Sequence, residues 1–206
     1  MRLASLFSTP VALHENPGLE NMNREITEIL VAESESIPSL SNSNVGGWHS
    51  QYNLQTRPEA CFQQLTQLVI RRAHETTEAI AKNAGRRLPK FTAKPEMWGM
   101  VMRDGDYGIP HTHAYSHWAT VYYADPGDAD QKAHPKSGII AFTDPRNGYL
   151  PIPGLDMVVA NFEVNAQAGQ LLIFPGWLMH YVHTYRGRRP RVSLSCNVTF
   201  DVVTAP

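Results

Sequence analysis

The sequence predicts a mainly β fold: an antiparallel double-sheet jelly roll, cupin-like, with supporting N-terminal helices. Three observations point there. Apolar residues recur at steps of three and four as far as Asn83 and at steps of two from Pro95 onward. Seven or eight short alternating runs follow that change. Turn residues separate them, at Asp104-Gly105, Asp125-Pro126-Gly127, Asp144-Pro145, Pro153-Gly154, Pro175-Gly176 and Arg186-Gly187.

In chain order, Leu6 to Leu13 reads as a short strand broken by Pro10. Asn21 to Glu33 sets Ile26, Ile29, Leu30 and Ala32 on one helical face. Ser36 to Gly47, rich in Ser, Asn and Gly, reads as loop. Pro58 to Asn83 is the clearest helix. Pro58 suits a first turn, and Phe62, Leu65, Leu68, Val69, Ala73, Thr76 and Ile80 form one stripe that Gly85 ends. That stripe predicts a helix lying on one face of a sheet. Strands are expected at Met97 to Met102, Trp118 to Tyr123, Ile139 to Phe142, Met157 to Val164, Gln170 to Phe174, Met179 to Tyr185 and Val192 to Val202. The expected organisation is one domain over 1–206, with 1–94 as strand and helical support and 95–206 as β core.

Composition narrows the function classes. A chain of 206 residues can bury a substantial core, and 42% hydrophobic with 18% charged residues is a globular balance. A net charge of −1 supplies no field for nucleic acid, so none is expected as a partner. Two cysteines, Cys61 and Cys196, are too few for a disulfide framework, which favours a reduced, cytoplasmic protein. Pro10, His14 and Glu15 interrupt the apolar run after Arg2, so no secretory signal is read. No stretch approaches the roughly 20 apolar residues of a membrane helix.

The chemistry-bearing residues are His111-Thr112-His113, then His180, then Arg191 with Ser193. Residues i and i+2 of a strand point the same way, so His111 and His113 at a strand start can reach one metal. His180 follows the apolar run Gly169 to Pro175 and the Pro175-Gly176 turn; alone it fits a core histidine bonded to a carbonyl equally well. Arg191 lies on the next strand, with Ser193 on its face. A guanidinium grips a carboxylate through two parallel hydrogen bonds, and a hydroxyl adds a third. Iron(II) oxygenases need three protein ligands on one face of the metal, with the opposite positions open.

With these parts the C-terminal half resembles the double-stranded β-helix of the 2-oxoglutarate/Fe(II)-dependent oxygenases, and the whole chain resembles a bacterial and phage branch of them. The segments that carry the resemblance are Leu6-Phe7-Ser8-Thr9-Pro10, Ser43-Asn44-Val45-Gly46-Gly47-Trp48-His49-Ser50, Pro110-His111-Thr112-His113, Val121-Tyr122-Tyr123, Phe142-Thr143-Asp144-Pro145-Arg146, Leu172 to His180 and Arg191 to Asn197. The resemblance implies Fe(II), 2-oxoglutarate as cosubstrate and O2. It implies His111 and His180 as metal ligands and Arg191 as the dicarboxylate anchor. Where the superfamily usually has H-x-D, this chain has His113. Either His113 ligates iron directly in a three-His site, or it sits behind the ligands while a carboxylate or water completes the coordination.

Other candidates are Tyr122 and Tyr123, which leave their strand on opposite faces, so that one can line the pocket; Tyr123 is assigned to the cosubstrate side. Asn197 either joins the Arg191 network or satisfies a strand end. Asp144 and Arg146 either order a loop or meet the substrate. Trp48, His49, Ser50 and Gln51 read as a polar loop on the substrate side. His117 and His183 read as surface or supporting groups, and Trp98, Trp118 and Trp177 as core. The loops Ser36 to Asn53 and Asp125 to Ser137 are expected to line the pocket. The function expected is hydroxylation of a small-molecule or amino-acid-like substrate, with a homodimer left open. Two readings compete with it. One is a three-His cupin-type dioxygenase or isomerase without 2-oxoglutarate, which has no use for Arg191 and Ser193. The other is a non-catalytic binding module, which has no use for three placed histidines.

Overall fold

Two antiparallel sheets form the core of the computed structural model, which describes residues 8–146, 161–165 and 167–203. β1 (Ala12–His14) and α1 (Glu20–Ser36) come first, then β2 (Asn44–Val45), β3 (Trp48–His49) and α2 (Ala60–Asn83). β4 (Phe91–Met102), β5 (Tyr107–His111), β6 (Trp118–Asp125), β7 (Ile140–Thr143) and β8 (Asn161–Val164) follow, then β9 (Leu171–Pro175), β10 (His180–Val182) and β11 (Arg191–Val202). The larger sheet has the order β1-β9-β6-β11-β4-β3 and the smaller β2-β5-β10-β7-β8.

Alternation along the strands of the larger sheet sorts residues into two apolar layers. Tyr122, Leu171, Ile173, Leu194 and Val198 pack with Ile26, Leu30, Phe62, Leu65 and Val69 of the two helices. Val121, Tyr123, Leu172 and Phe174 turn the other way and meet Ile140 and Phe142 of the smaller sheet. Strands buried on both faces read as continuous apolar runs, which is why Leu171 to Phe174 shows no polar alternation. The α2 stripe lies on the larger sheet, as its spacing predicts. α1 seats on the same sheet at Gly99, where a β-carbon would come within 2.7 Å of Leu30 Cδ1, a fully buried side chain. Gly99→Val is therefore expected to cost on the order of 1–3 kcal/mol by overpacking. A lower urea midpoint would report it, and an unchanged one would show that α1 is not seated there.

Several expected elements differ. β2 lies inside the segment expected as loop, and Ser36 still belongs to α1. β4 starts at Phe91 rather than Met97, straight through Pro95. Met97 and Gly99 donate their N–H groups away from β11, to Gln55 Oε1 and Ser50 Oγ. By the strand period Pro95 faces that same edge, where β3 pairs only Met100 and Val101 and a missing donor breaks no ladder. The strand expected over Leu6 to Leu13 is Ala12–His14 among the described residues, and Leu6 and Phe7 lie outside them. Likewise only Asn161–Val164 of Met157 to Val164 is described. β5 was not expected, because Gly108 and Pro110 break its alternation.

Candidate active site

Sheet register brings distant histidines together. His111 closes β5 and stands directly opposite His180, the first residue of β10. The register then shifts, so that Gly108 opposes Val182 with one extra residue on β5, a bulge of the kind that re-aims side chains. His111 thus ends a strand rather than starting one, and His113 lies beyond it. The shared-face argument for the pair is therefore not how the two rings meet. After His113 the chain turns through Tyr115 (φ 72°), and the Ser116 N–H donates back to His113 O. The His113 N–H donates to Gly176 O at 2.7 Å. A β-carbon on Gly176 would fall 2.6 Å from His113 O, so this close approach requires glycine.

One ring nitrogen from each of His111, His113 and His180 lies within 4.8 Å of the others. Each ring is held through Nδ1. His111 Nδ1 donates to Ile109 O at 2.7 Å and His180 Nδ1 to Leu178 O at 2.9 Å; a carbonyl only accepts, so these tautomers are set. His113 Nδ1 lies 2.7 Å from Asn197 Oδ1, and Asn197 Nδ2 donates to Glu96 Oε2 at 3.2 Å. Three Nε2 atoms remain, of which His111 Nε2 also meets Ser43 Oγ at 3.3 Å. Burial, with His111 close by, pushes His113 down to about 4. Burial and the same neighbour push His180 to about 3, and burial lowers His111. All three imidazoles are neutral near pH 7, the form that binds metal.

This has a consequence for the metal-free protein. Unfolded histidine takes up a proton near pH 6.5, whereas the folded rings resist it. Below that pH the unfolded state binds more protons, so stability falls as pH drops through about 6.5 towards 4 and is level above. Urea midpoints at about pH 7 and about pH 5 should differ in that direction; equal midpoints would contradict the burial of the triad.

Arg191 opens β11 and is 3% exposed. Its Nη1 lies 3.3 Å from Ser193 Oγ, and its guanidinium carbon 5.0 Å from the Tyr123 ring centre. Arg191 Nη2 and the Tyr123 hydroxyl are buried without hydrogen-bond partners. Burial lowers the Arg191 pKa and raises that of Tyr123. Neighbouring arginines are paired: Arg186 with Asp104, Arg188 with Asp128 and Arg189 with Asp125. Among the described residues no carboxylate pairs with Arg191. An unmatched cation with an idle donor beside it calls for an anion. The triad, Arg191, Ser193 and Tyr123 line one cavity of about 340 Å³, and no Asp or Glu is among its described lining residues.

The remaining candidates separate. Tyr122 turns to the helices, where its hydroxyl donates to Asn23 Oδ1 at 2.6 Å. Asn197 lines the same cavity, and its amide hydrogen-bonds His113 and Glu96 rather than Arg191. Trp177 is 53% exposed, not core, because it sits in the turn before β10. Trp118 is buried, while buried Trp98 lines the cavity and stacks on the His113 ring (5.5 Å, 18°). Trp48 and His49 form an edge strand, and His49 and Tyr52 line the cavity with Asn42, Ser43 and Asn44. The segment Asp125 to Ser137 does not line it among the described residues. Asp128 there instead accepts from the Arg188 and Arg189 N–H groups. Asp144 pairs with Arg146, His117 Nδ1 accepts from Phe200 N, and His183 faces Glu163 at 3.4 Å. Sequence reasoning missed the contact of Ser43 with His111 and the place of Glu96, which reaches His113 only through Asn197; both depend on pairing of distant strands and have no local signature.

A double-sheet jelly roll with a histidine cluster and a buried arginine in one cavity defines a class of metal-dependent oxygenases. Residues 96–197 match the family model described as "Putative 2OG-Fe(II) oxygenase". This β core belongs to the 2-oxoglutarate/Fe(II) oxygenase family, and the protein is an Fe(II)/2-oxoglutarate-dependent oxygenase whose cofactors are Fe(II), 2-oxoglutarate and O2. No curated protein matches the sequence. Among solved structures, a Pseudomonas putida prolyl-4-hydroxylase is similar at 16% identity and a TM-score of 0.59, covering 97% of this chain and 96% of its own. HygX from Streptomyces hygroscopicus, solved with nickel and 2-oxoglutarate, is similar at 11% identity and a TM-score of 0.60, covering 93% and 83%. A Trichoplax adhaerens prolyl hydroxylase is similar at 12% identity and a TM-score of 0.58, covering 92% and 83%. At such identities the likeness is one of fold.

Proposed function

We propose that His111, His113 and His180 hold one Fe(II) through their Nε2 atoms. Arg191, Ser193 and Tyr123 bind the far carboxylate of 2-oxoglutarate, and the enzyme hydroxylates a small-molecule or amino-acid-like substrate. The observation that carries this is the buried Arg191 guanidinium, with no carboxylate partner among the described residues, opening on the same cavity as three converging imidazole nitrogens. The residues fit the group: neutral imidazoles suit iron, and Arg191 Nη2 with the Tyr123 hydroxyl are donors waiting for an anion. Bound iron supplies dioxygen activation with 2-oxoglutarate as electron donor.

The chain's own residues do the rest. Backbone carbonyls and Asn197 orient the imidazoles. Arg191 and Ser193 fix the cosubstrate's position, and the apolar layer around Val121, Ile140 and Phe174 keeps water out. Three neutral donors leave the metal's full charge in place, which favours a dianionic cosubstrate. Asn42, Ser43, His49, Tyr52 and Trp98 form the substrate side, an uncharged wall suited to a small polar molecule. In this reading residues 1–206 act as one domain, since both helices seat on the larger sheet. HygX was solved with hygromycin B bound and the Trichoplax enzyme with a peptide fragment, so the test has two arms. Measuring 2-oxoglutarate turnover against a metabolite library should find compounds that stimulate it and gain an oxygen atom. Stimulation by peptides alone would overturn the small-molecule assignment.

A further inference from the structure

We propose that Glu96 and Asn197 are positioning residues for the metal site: they lock His113 in the tautomer that leaves Nε2 bare and strengthen it as a donor. This rests on the three-His reading above. An ionised carboxylate can only accept, so the Asn197 amide must turn its nitrogen to Glu96 Oε2, at 3.2 Å. Its oxygen then faces His113 Nδ1, at 2.7 Å, and since that oxygen accepts, Nδ1 carries the proton. Nε2 is left with its lone pair. The direction of every bond in the chain is thus set by Glu96.

The scaffold makes this arrangement rigid. Glu96 and Asn197 are direct cross-strand partners in the twelve-residue β4–β11 ladder. Two residues along β4, Trp98 lies on the same face and stacks on the His113 ring. At Nδ1, His111 and His180 lean on backbone carbonyls two residues before them. His113, which stands where an H-x-D motif carries its carboxylate, is the one tied by side chains to an anion. A carboxylate-polarised amide on Nδ1–H raises the basicity of the opposite nitrogen. Part of the missing negative character is returned from outside the cavity.

Nitrogen-correlated NMR of the imidazoles in the metal-free protein should show His113 protonated on Nδ1 and bare on Nε2. Asn197→Ala should mix the two tautomers and weaken Co(II) binding by about 10- to 100-fold. Glu96→Ala should fall between that variant and wild type. Asn197→Asp combined with Glu96→Gln moves the carboxylate next to His113 and should restore both the tautomer and the Co(II) affinity. His113→Ala, titrated alongside, separates two kinds of failure. If it binds Co(II) like wild type, the three-His reading fails and takes this inference with it. If it loses Co(II) while Asn197→Ala keeps wild-type affinity, or if wild-type His113 is protonated on Nε2, only this inference is overturned.

Discussion

Arg191→Ala is expected to weaken 2-oxoglutarate binding to the anaerobic Fe(II) protein at least about a hundredfold while iron affinity stays nearly unchanged. Removing one member of a buried charge pair costs on the order of 3–5 kcal/mol, and each 1.4 kcal/mol is about tenfold. The guanidinium is buried, and no Lys or second Arg is among the described residues that line the cavity, so the cosubstrate anion would be left without a counter-charge. Arg191→Lys should recover only part of the loss, because an ammonium lacks the planar fork and cannot engage the anion at two points. Arg189→Ala is the control: Arg189 sits at the surface, paired with Asp125 at 3.2 Å, and its loss should matter little. The readout is the metal-to-ligand charge-transfer band that grows as 2-oxoglutarate is added. An undiminished band in Arg191→Ala, or none in wild type, would favour the cosubstrate-free dioxygenase.

Replacing any one of His111, His113 or His180 with Ala should remove most Fe(II) binding, since three ligands leave no redundancy. Among the described residues no Asp or Glu lines the cavity, so none stands ready to substitute. The informative contrast lies at His113. If His113→Ala keeps full affinity while His111→Ala loses it, the ring at 113 supports the site without ligating. His113→Asp recreates the H-x-D pattern, and an anion beside a cation should hold iron as well or better. Turnover should still fall, because Asn197 Oδ1 would face a carboxylate in place of an N–H donor. Anaerobic titration of the metal-free variants gives these affinities directly.

The sequence was legible wherever the chemistry is local. The α2 stripe, the change of period before Pro95 and the turn residues between strands each follow from the residues in one short window, and they determined the fold class. The order His111, His113, His180, Arg191 is also a property of the chain alone, and the family resemblance it carries implied the cofactors. What the tertiary structure decided is everything that depends on register. The β5–β10 register sets His111 opposite His180, the Gly176 carbonyl holds the His113 N–H, and the β4–β11 ladder sets Glu96 beside Asn197. Asn197 consequently hydrogen-bonds His113 and not Arg191. Trp98 became a cavity wall, Trp177 a surface residue, and Ser43 a neighbour of His111 across 68 positions. A side-chain period reports which face a residue takes, but not which distant strand lies opposite, and pairing between strands far apart in sequence is settled only when the sheets close.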